Sequence, residues 1–146
     1  MDWEALKADF ILVAGLAGIT LSPYTITVQM LRAPHTAPRL PAGKMAVYIF
    51  LWGDQCLKVG KVRQKTHARY TYQHYCPNSS MSNLAKSILR EREGLGLIGI
   101  DERSVGKWIK ENTDRLNFLL DGDDGAPVLS LLEAFVQCRL KPRFEG

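Results

Sequence analysis

The chain reads as a mixed α/β fold, a small sheet layered against helices, and three observations point there. From Ala46 to Gly60 the residues AVYIFLWGDQCLKVG have the pattern of a tight hairpin of two buried strands. The hairpin feeds directly into a basic, tyrosine-rich segment with helix signals, so strand and helix alternate along the chain. Apolar residues recur at helical spacing near both ends: Trp3, Leu6, Phe10, Val13 and Ala17, then Val128, Leu131, Leu132, Phe135 and Val136. A chain of 146 residues is one ordinary domain, long enough to bury a core without staples.

The first element is a helix. The apolar run from Phe10 to Leu21 is 12 residues long, well short of the ~20 needed to span a bilayer. Asp2, Glu4 and Asp9 precede it, the wrong charge for the start of a signal peptide. A buried amphipathic helix is the better reading, with no membrane association.

Four of the seven prolines fall between Pro23 and Pro41. Residues 20–44 therefore read as an irregular connector, with one short edge strand in the alternating stretch Ile26–Met30. Residues 1–44 are read as an N-terminal helix and Pro-rich connector, and residues 45–146 as the compact module.

In that module Val47, Ile49 and Leu51 alternate with Tyr48, Phe50 and Trp52, so both strand faces are apolar and both are covered. A three-residue loop at Gly53–Gln55 sets Trp52 opposite Cys56, Phe50 opposite Lys58 and Tyr48 opposite Gly60. Tyr48 and Lys58 then share a face as diagonal neighbours ~7–8 Å apart. A loop one residue shorter or longer breaks that register.

Thr66 is read as the N-cap of a helix running to Tyr75 and ended by Pro77. Ser82 caps a second helix from Asn83 to about Arg92. Ser104 starts a short third one carrying Val105, Trp108 and Ile109. Arg115–Leu120 alternates as another strand, and Pro127 opens the closing helix.

Net charge is only +4, but it is unevenly spread. Between Lys58 and Arg92 there are eight Lys or Arg against one acid, whereas Asp101–Asp124 holds seven acids and four bases. A concentrated basic segment in a near-balanced chain points to a polyanion partner; its plain alternative is a solvated basic helix face. Three widely spaced cysteines, Cys56, Cys76 and Cys138, suit neither a disulfide framework nor a zinc site. They read as reduced thiols in a cytoplasmic protein.

Two motifs fail on context. Gly94-Leu-Gly96-Leu-Ile-Gly99 follows a charged helix rather than a strand, so it is no dinucleotide loop. Asp121–Gly125 lacks the twelfth-position glutamate of a calcium loop, where Leu132 stands. Glu133 is different. It lies on the shoulder of the closing helix's apolar face, where a carboxylate can border a cleft and hold a divalent cation. Arg69, with its planar fork, suits a phosphate. Taken singly, Glu133, Arg69, Tyr48 and His74 are ordinary residues; their joint order is what carries weight.

That ordered set resembles the GIY-YIG nuclease family across residues 45–146. Ala46-Val47-Tyr48 stands for the first triplet, and Lys58-Val59-Gly60-Lys61 for the second triplet and its following lysine. Arg69 falls at the helix arginine. Glu133 and Lys141-Pro142-Arg143-Phe144 resemble the metal-binding glutamate helix and the terminal KPxF run. Ala46 replaces a glycine, Lys58 replaces the second tyrosine, Glu145 stands where an asparagine is expected, and His74 falls one place beyond the usual histidine.

The resemblance implies a three-stranded antiparallel sheet flanked by helices, and metal-dependent endonuclease action on DNA. In that reading Glu133 holds one Mg²⁺ or Mn²⁺ and Arg69 neutralises charge on the phosphate. Tyr48 positions or deprotonates the attacking water. Lys58 or His74 lowers the Tyr48 pKa or takes its proton. Positive charge nearby would depress the Tyr48 pKa. Lys61, Arg63 and Lys65, Tyr70, Tyr72 and Tyr75, and Lys86 and Arg90 line the DNA path. The rival class is a catalytically inactive nucleic-acid-binding module on the same scaffold. A third reading is a basic adaptor for an acidic protein partner. Residues 1–44 are read as a specificity element, a homodimer interface or packing.

Overall fold

The structure is a computed structural model and describes residues 1–144, so Glu145 lies outside the described residues. Helix α1 (Trp3–Leu16) starts where the Asp2 carboxylate accepts hydrogen bonds from the Glu4 and Ala5 amides at 3.0 and 3.1 Å, satisfying donors that have no partner within the helix. Its Leu6, Phe10 and Ala14 are buried. Strand β1 (Thr27–Leu31) follows, then the hairpin of β2 (Lys44–Trp52) and β3 (Gln55–Val62). Short helices α2 (His67–Thr71), α3 (Leu84–Glu91) and α4 (Val105–Asn112) lead to β4 (Asp114–Asp121) and α5 (Ala126–Leu140).

The sheet is antiparallel with four strands in the order β1-β4-β2-β3, not three. The added strand is β1, the alternating stretch inside the proline-rich connector. It pairs Thr27 to Leu119 through Leu31 to Arg115 and occupies one edge, where a neighbouring proline breaks no ladder.

Two cores cover the two faces of this sheet. On one, Val47, Ile49, Val59, Leu116, Phe118 and Leu120 pack against Leu6 and Phe10 of α1 and Val128, Leu132 and Val136 of α5. On the other, Ala46, Tyr48, Phe50, Leu57 and Val62 pack against Tyr70, Leu84, Ile88 and Ile109. Residues 1–44 thus contribute a helix and a strand to the same core as the rest.

The hairpin turn is two residues, Gly53 and Asp54, with Gly53 at φ 58°. A glycine first in a two-residue loop matches the twist of the flanking strands. Trp52 therefore opposes Gln55 instead of Cys56. The ladder then shifts at a bulge between Phe50 and Leu51, because Leu57 is an extra residue on β3. The bulge cancels the short turn, so Phe50 still faces Lys58 and Tyr48 still faces Gly60. Beside the bulge, the Arg143 and Phe144 amides donate to the Cys56 and Leu57 carbonyls at 3.0 and 2.9 Å. The Lys-Pro-Arg-Phe run covers that part of the outer edge of β3.

The segment after the hairpin is not one helix. A 3₁₀ turn at Gln64–Thr66, the single turn of α2 and a second 3₁₀ turn at Gln73–Tyr75 replace it, with a break at Tyr72. The Thr66 hydroxyl accepts from the Arg63 amide rather than capping α2. Helix α3 is capped by Asn83, not Ser82: its carboxamide oxygen accepts from the Lys86 amide at 2.8 Å.

Candidate active site

A cleft of about 600 Å³ opens across the β3 side of the sheet, between the α2 segment and α5. Tyr48 from β2, Lys58, Gly60 and Lys61 from β3, Arg69 from α2 and Glu133 from α5 all line it. Arg63 and Lys65 stand exposed on its rim. Alternation along β3 divides the roles. Lys58 and Gly60 lie on the face of Tyr48, whereas Lys61 points to the face of α5 and pairs with Glu133 at 2.7 Å.

Tyr48 is 1% exposed. Its hydroxyl lies 2.6 Å from His74 Nε2. The Leu84 amide donates to His74 Nδ1 at 3.1 Å, so in the neutral ring Nε2 carries the proton and donates to the Tyr48 oxygen. Burial keeps that ring neutral, pushing its pKa down to about 3, with Lys58, Arg115 and Arg69 adding to the shift. With Nδ1 occupied and Nε2 donating, His74 orients Tyr48 and has no vacant position to take its proton. The expected depression of the Tyr48 pKa is also corrected. Burial drives it up to about 12, outweighing the lowering by Arg115 and Arg69. Lys58 is 3% exposed and its pKa is lowered by burial, then by Arg69.

A neutral buried His74 has a consequence for stability. Its folded pKa lies below the unfolded value, so the unfolded chain binds the extra proton between about pH 6.5 and about pH 3. The contribution is fully present above that window and is lost as pH falls through it, with a slope of about 1.4 kcal/mol per pH unit. Urea unfolding across this range should show that acid sensitivity. His74→Gln should flatten it; an unchanged slope would place the titrating group elsewhere.

Gly60 is set by volume. A Cβ built there collides with the Tyr48 hydroxyl and ring, although its φ lies outside the left-handed region. Gly60→Ala is therefore expected to displace the Tyr48 ring, break its bond to His74 and cost about 1–3 kcal/mol. Denaturant melts and the Tyr48 ring resonances report both effects.

Other residues expected on a nucleic-acid path are distributed differently. Tyr70 is fully buried and Tyr75 is 5% exposed, so neither offers a ring to a base. The break at Tyr72 turns them inward and leaves Tyr72 itself exposed. Lys86 and Arg90 are exposed on α3, outside the cleft lining.

Leu129 and Gln137, one turn either side of Glu133, also line the cleft and escaped the sequence reading. So did Arg115 and Asn117, fully buried on the Tyr48 face of β4. Their alternation with Leu116 and Phe118 is the pattern of an exposed strand face, and only the covering of both sides of the sheet buries them.

For a divalent cation, Glu133 supplies a hard carboxylate oxygen, and Mg²⁺ is commonly held by one or two carboxylates plus substrate phosphate. No group of three or more His, Cys, Asp or Glu stands ready for a metal among the described residues. Glu133 is the one carboxylate among the described cleft-lining residues and is paired with Lys61, and no His or Cys of that lining stands beside it to make a zinc site.

Comparison with family models, curated proteins and solved structures finds no match to this chain. Among the described residues no helix is long and apolar enough to cross a membrane.

Proposed function

We propose that this chain is a divergent GIY-YIG-type nuclease that hydrolyses phosphodiester bonds of DNA, with Mg²⁺ or Mn²⁺ at Glu133. One observation carries the reading: Tyr48, Lys58, Arg69 and Glu133, from four separate elements, line a single cleft with a basic rim. Cys56, Cys76 and Cys138 as free thiols agree with a cytoplasmic setting.

Arg63, Lys65 and Arg69 draw a phosphate into the cleft, and Arg69 neutralises the charge gathering on its equatorial oxygens. Burial favours the neutral amine of Lys58, the form that can accept the Tyr48 proton as the water is deprotonated. The phenolate, oriented by His74, takes the water's proton as the water's oxygen bonds to phosphorus in line. The bond from phosphorus to the leaving sugar oxygen breaks, and solvent protonates that oxygen. Glu133 would hold the divalent cation, which when bound would supply charge neutralisation at the phosphate.

Supercoiled plasmid incubated with the protein should be nicked in Mg²⁺ or Mn²⁺ and untouched in EDTA. A non-cleaving binding module is the second reading, favoured by Lys61 holding the Glu133 carboxylate and by Lys58 in place of a tyrosine. Both predict DNA affinity that falls by about 0.9 logarithmic units per phosphate neutralised for each tenfold rise in salt. Binding that is steep in salt without cleavage in any metal would select the module. Affinity indifferent to salt would leave the acidic-protein adaptor.

A further inference from the structure

Behind Tyr48, on the side away from the cleft, lies a fully buried arginine. Arg115 is 0% exposed, and its guanidinium sits 4.3, 5.1 and 5.4 Å from the ring centroids of Tyr70, Phe50 and Tyr48. Nη1 donates to the Tyr75 hydroxyl at 3.0 Å and Nε to Asn117 at 3.2 Å, while Nη2 has no hydrogen-bond partner. None of the ion pairs among the described residues includes it. A permanent charge held this way is costly, and an apolar side chain of similar length commonly fills such a place at lower cost. Packing alone does not account for an arginine here.

The charged and titratable groups facing Tyr48 are Lys58 from β3, Arg69 and Tyr70 from α2, His74 from the next turn, Glu133 from α5 and Arg115 from β4. Lys58 and Arg69 line the cleft, so a phosphate arriving there takes up their charge. Arg115 does not line it, and phosphate does not neutralise it. We propose that Arg115 is a positioning residue for Tyr48: its uncompensated charge, delivered through the aromatic cluster, holds the phenolate once DNA fills the cleft. This rests on the nuclease reading for its purpose, but the electrostatic role is measurable without cleavage.

The experiment places 3,5-difluorotyrosine at position 48, whose more acidic phenol ionises while the protein stays folded, and follows phenolate absorbance against pH. Arg115→Met should raise the midpoint by about one to three pH units, the effect of removing a cation at this range. Arg115→Lys keeps the charge but loses the fork, so its midpoint should stay near that of wild type although the bonds to Tyr75 and Asn117 are weakened. A merely structural arginine predicts that both variants lose stability with no separation of midpoints, and that result overturns the proposal. Should Arg115→Met not fold, Arg115→Gln takes its place, removing the charge while keeping an amide donor for Tyr75 or Asn117: a midpoint raised by a unit or more above that of Arg115→Lys supports the proposal, and an unchanged midpoint overturns it. Plasmid nicking is read in parallel. Wild-type protein that never cleaves removes the nuclease reading, while the titration still decides the role of Arg115.

Discussion

Glu133→Gln is expected to abolish Mg²⁺-dependent nicking while leaving the protein folded and able to bind DNA. The amide keeps the shape of the side chain but presents a neutral oxygen to the cation. The pair with Lys61 joins a partly exposed lysine to a largely covered carboxylate and contributes about 0–1 kcal/mol, so the fold tolerates its loss. DNA binding should hold or tighten, since a negative charge is removed beside the phosphate and Lys61 is released to meet it. Nicking assays, Mn²⁺ titration and DNA affinity measured on one preparation give the answer. Cleavage unchanged in the glutamine variant would remove Glu133 from the metal role.

Arg69→Ala should lower single-turnover cleavage by about 10²–10³-fold, the usual cost of losing a group that meets charge developed in the transition state. Ground-state affinity should fall only as one phosphate contact requires, because Arg69 is exposed on α2 and its removal disturbs no core. Tyr48→Phe is the companion. It preserves the packed ring, removes the proton acceptor, and leaves the His74 Nε2–H buried without a partner, at about 1–3 kcal/mol of stability. Activity should collapse beyond what that loss explains at a temperature where the variant remains folded. Robust cleavage by Tyr48→Phe would move the general base to Lys58.

Local pattern was enough to read the hairpin. Alternation in Val47–Trp52 and a glycine turn bring Tyr48 opposite Gly60, and the bulge at Leu57 corrects a turn length that residue types alone do not specify. Helix periodicity likewise located α5 and the shoulder position of Glu133. Less legible was whatever tertiary packing decides. Tyr70, Tyr72 and Tyr75 read as one DNA-lining set on a continuous helix, but the segment breaks at Tyr72, and Tyr70 and Tyr75 are buried while Tyr72 is exposed. Arg115 looks like a solvent-facing strand residue until helices cover both sides of β4. Lys61 reads as a phosphate contact, and only the approach of α5 to β3 shows that it first meets Glu133. The direction of the Tyr48 pKa was misread for the same reason: nearby charges are visible in a sequence, whereas depth of burial is not.

The collision between position 60 and the Tyr48 ring also bears on how such a sequence can drift. The two sites sit on neighbouring strands in direct register and share one volume, so position 60 cannot gain a side chain while the ring stands at position 48. Any side chain at position 60 requires a smaller residue at position 48, and that exchange surrenders the phenol. By contrast, Ala46 carries only a methyl group within the packed core. Lineages descending from this chain should therefore keep glycine at position 60 for as long as tyrosine stands at position 48. A side chain at position 60 would thus be the visible mark of a chain that no longer holds a tyrosine ring at position 48.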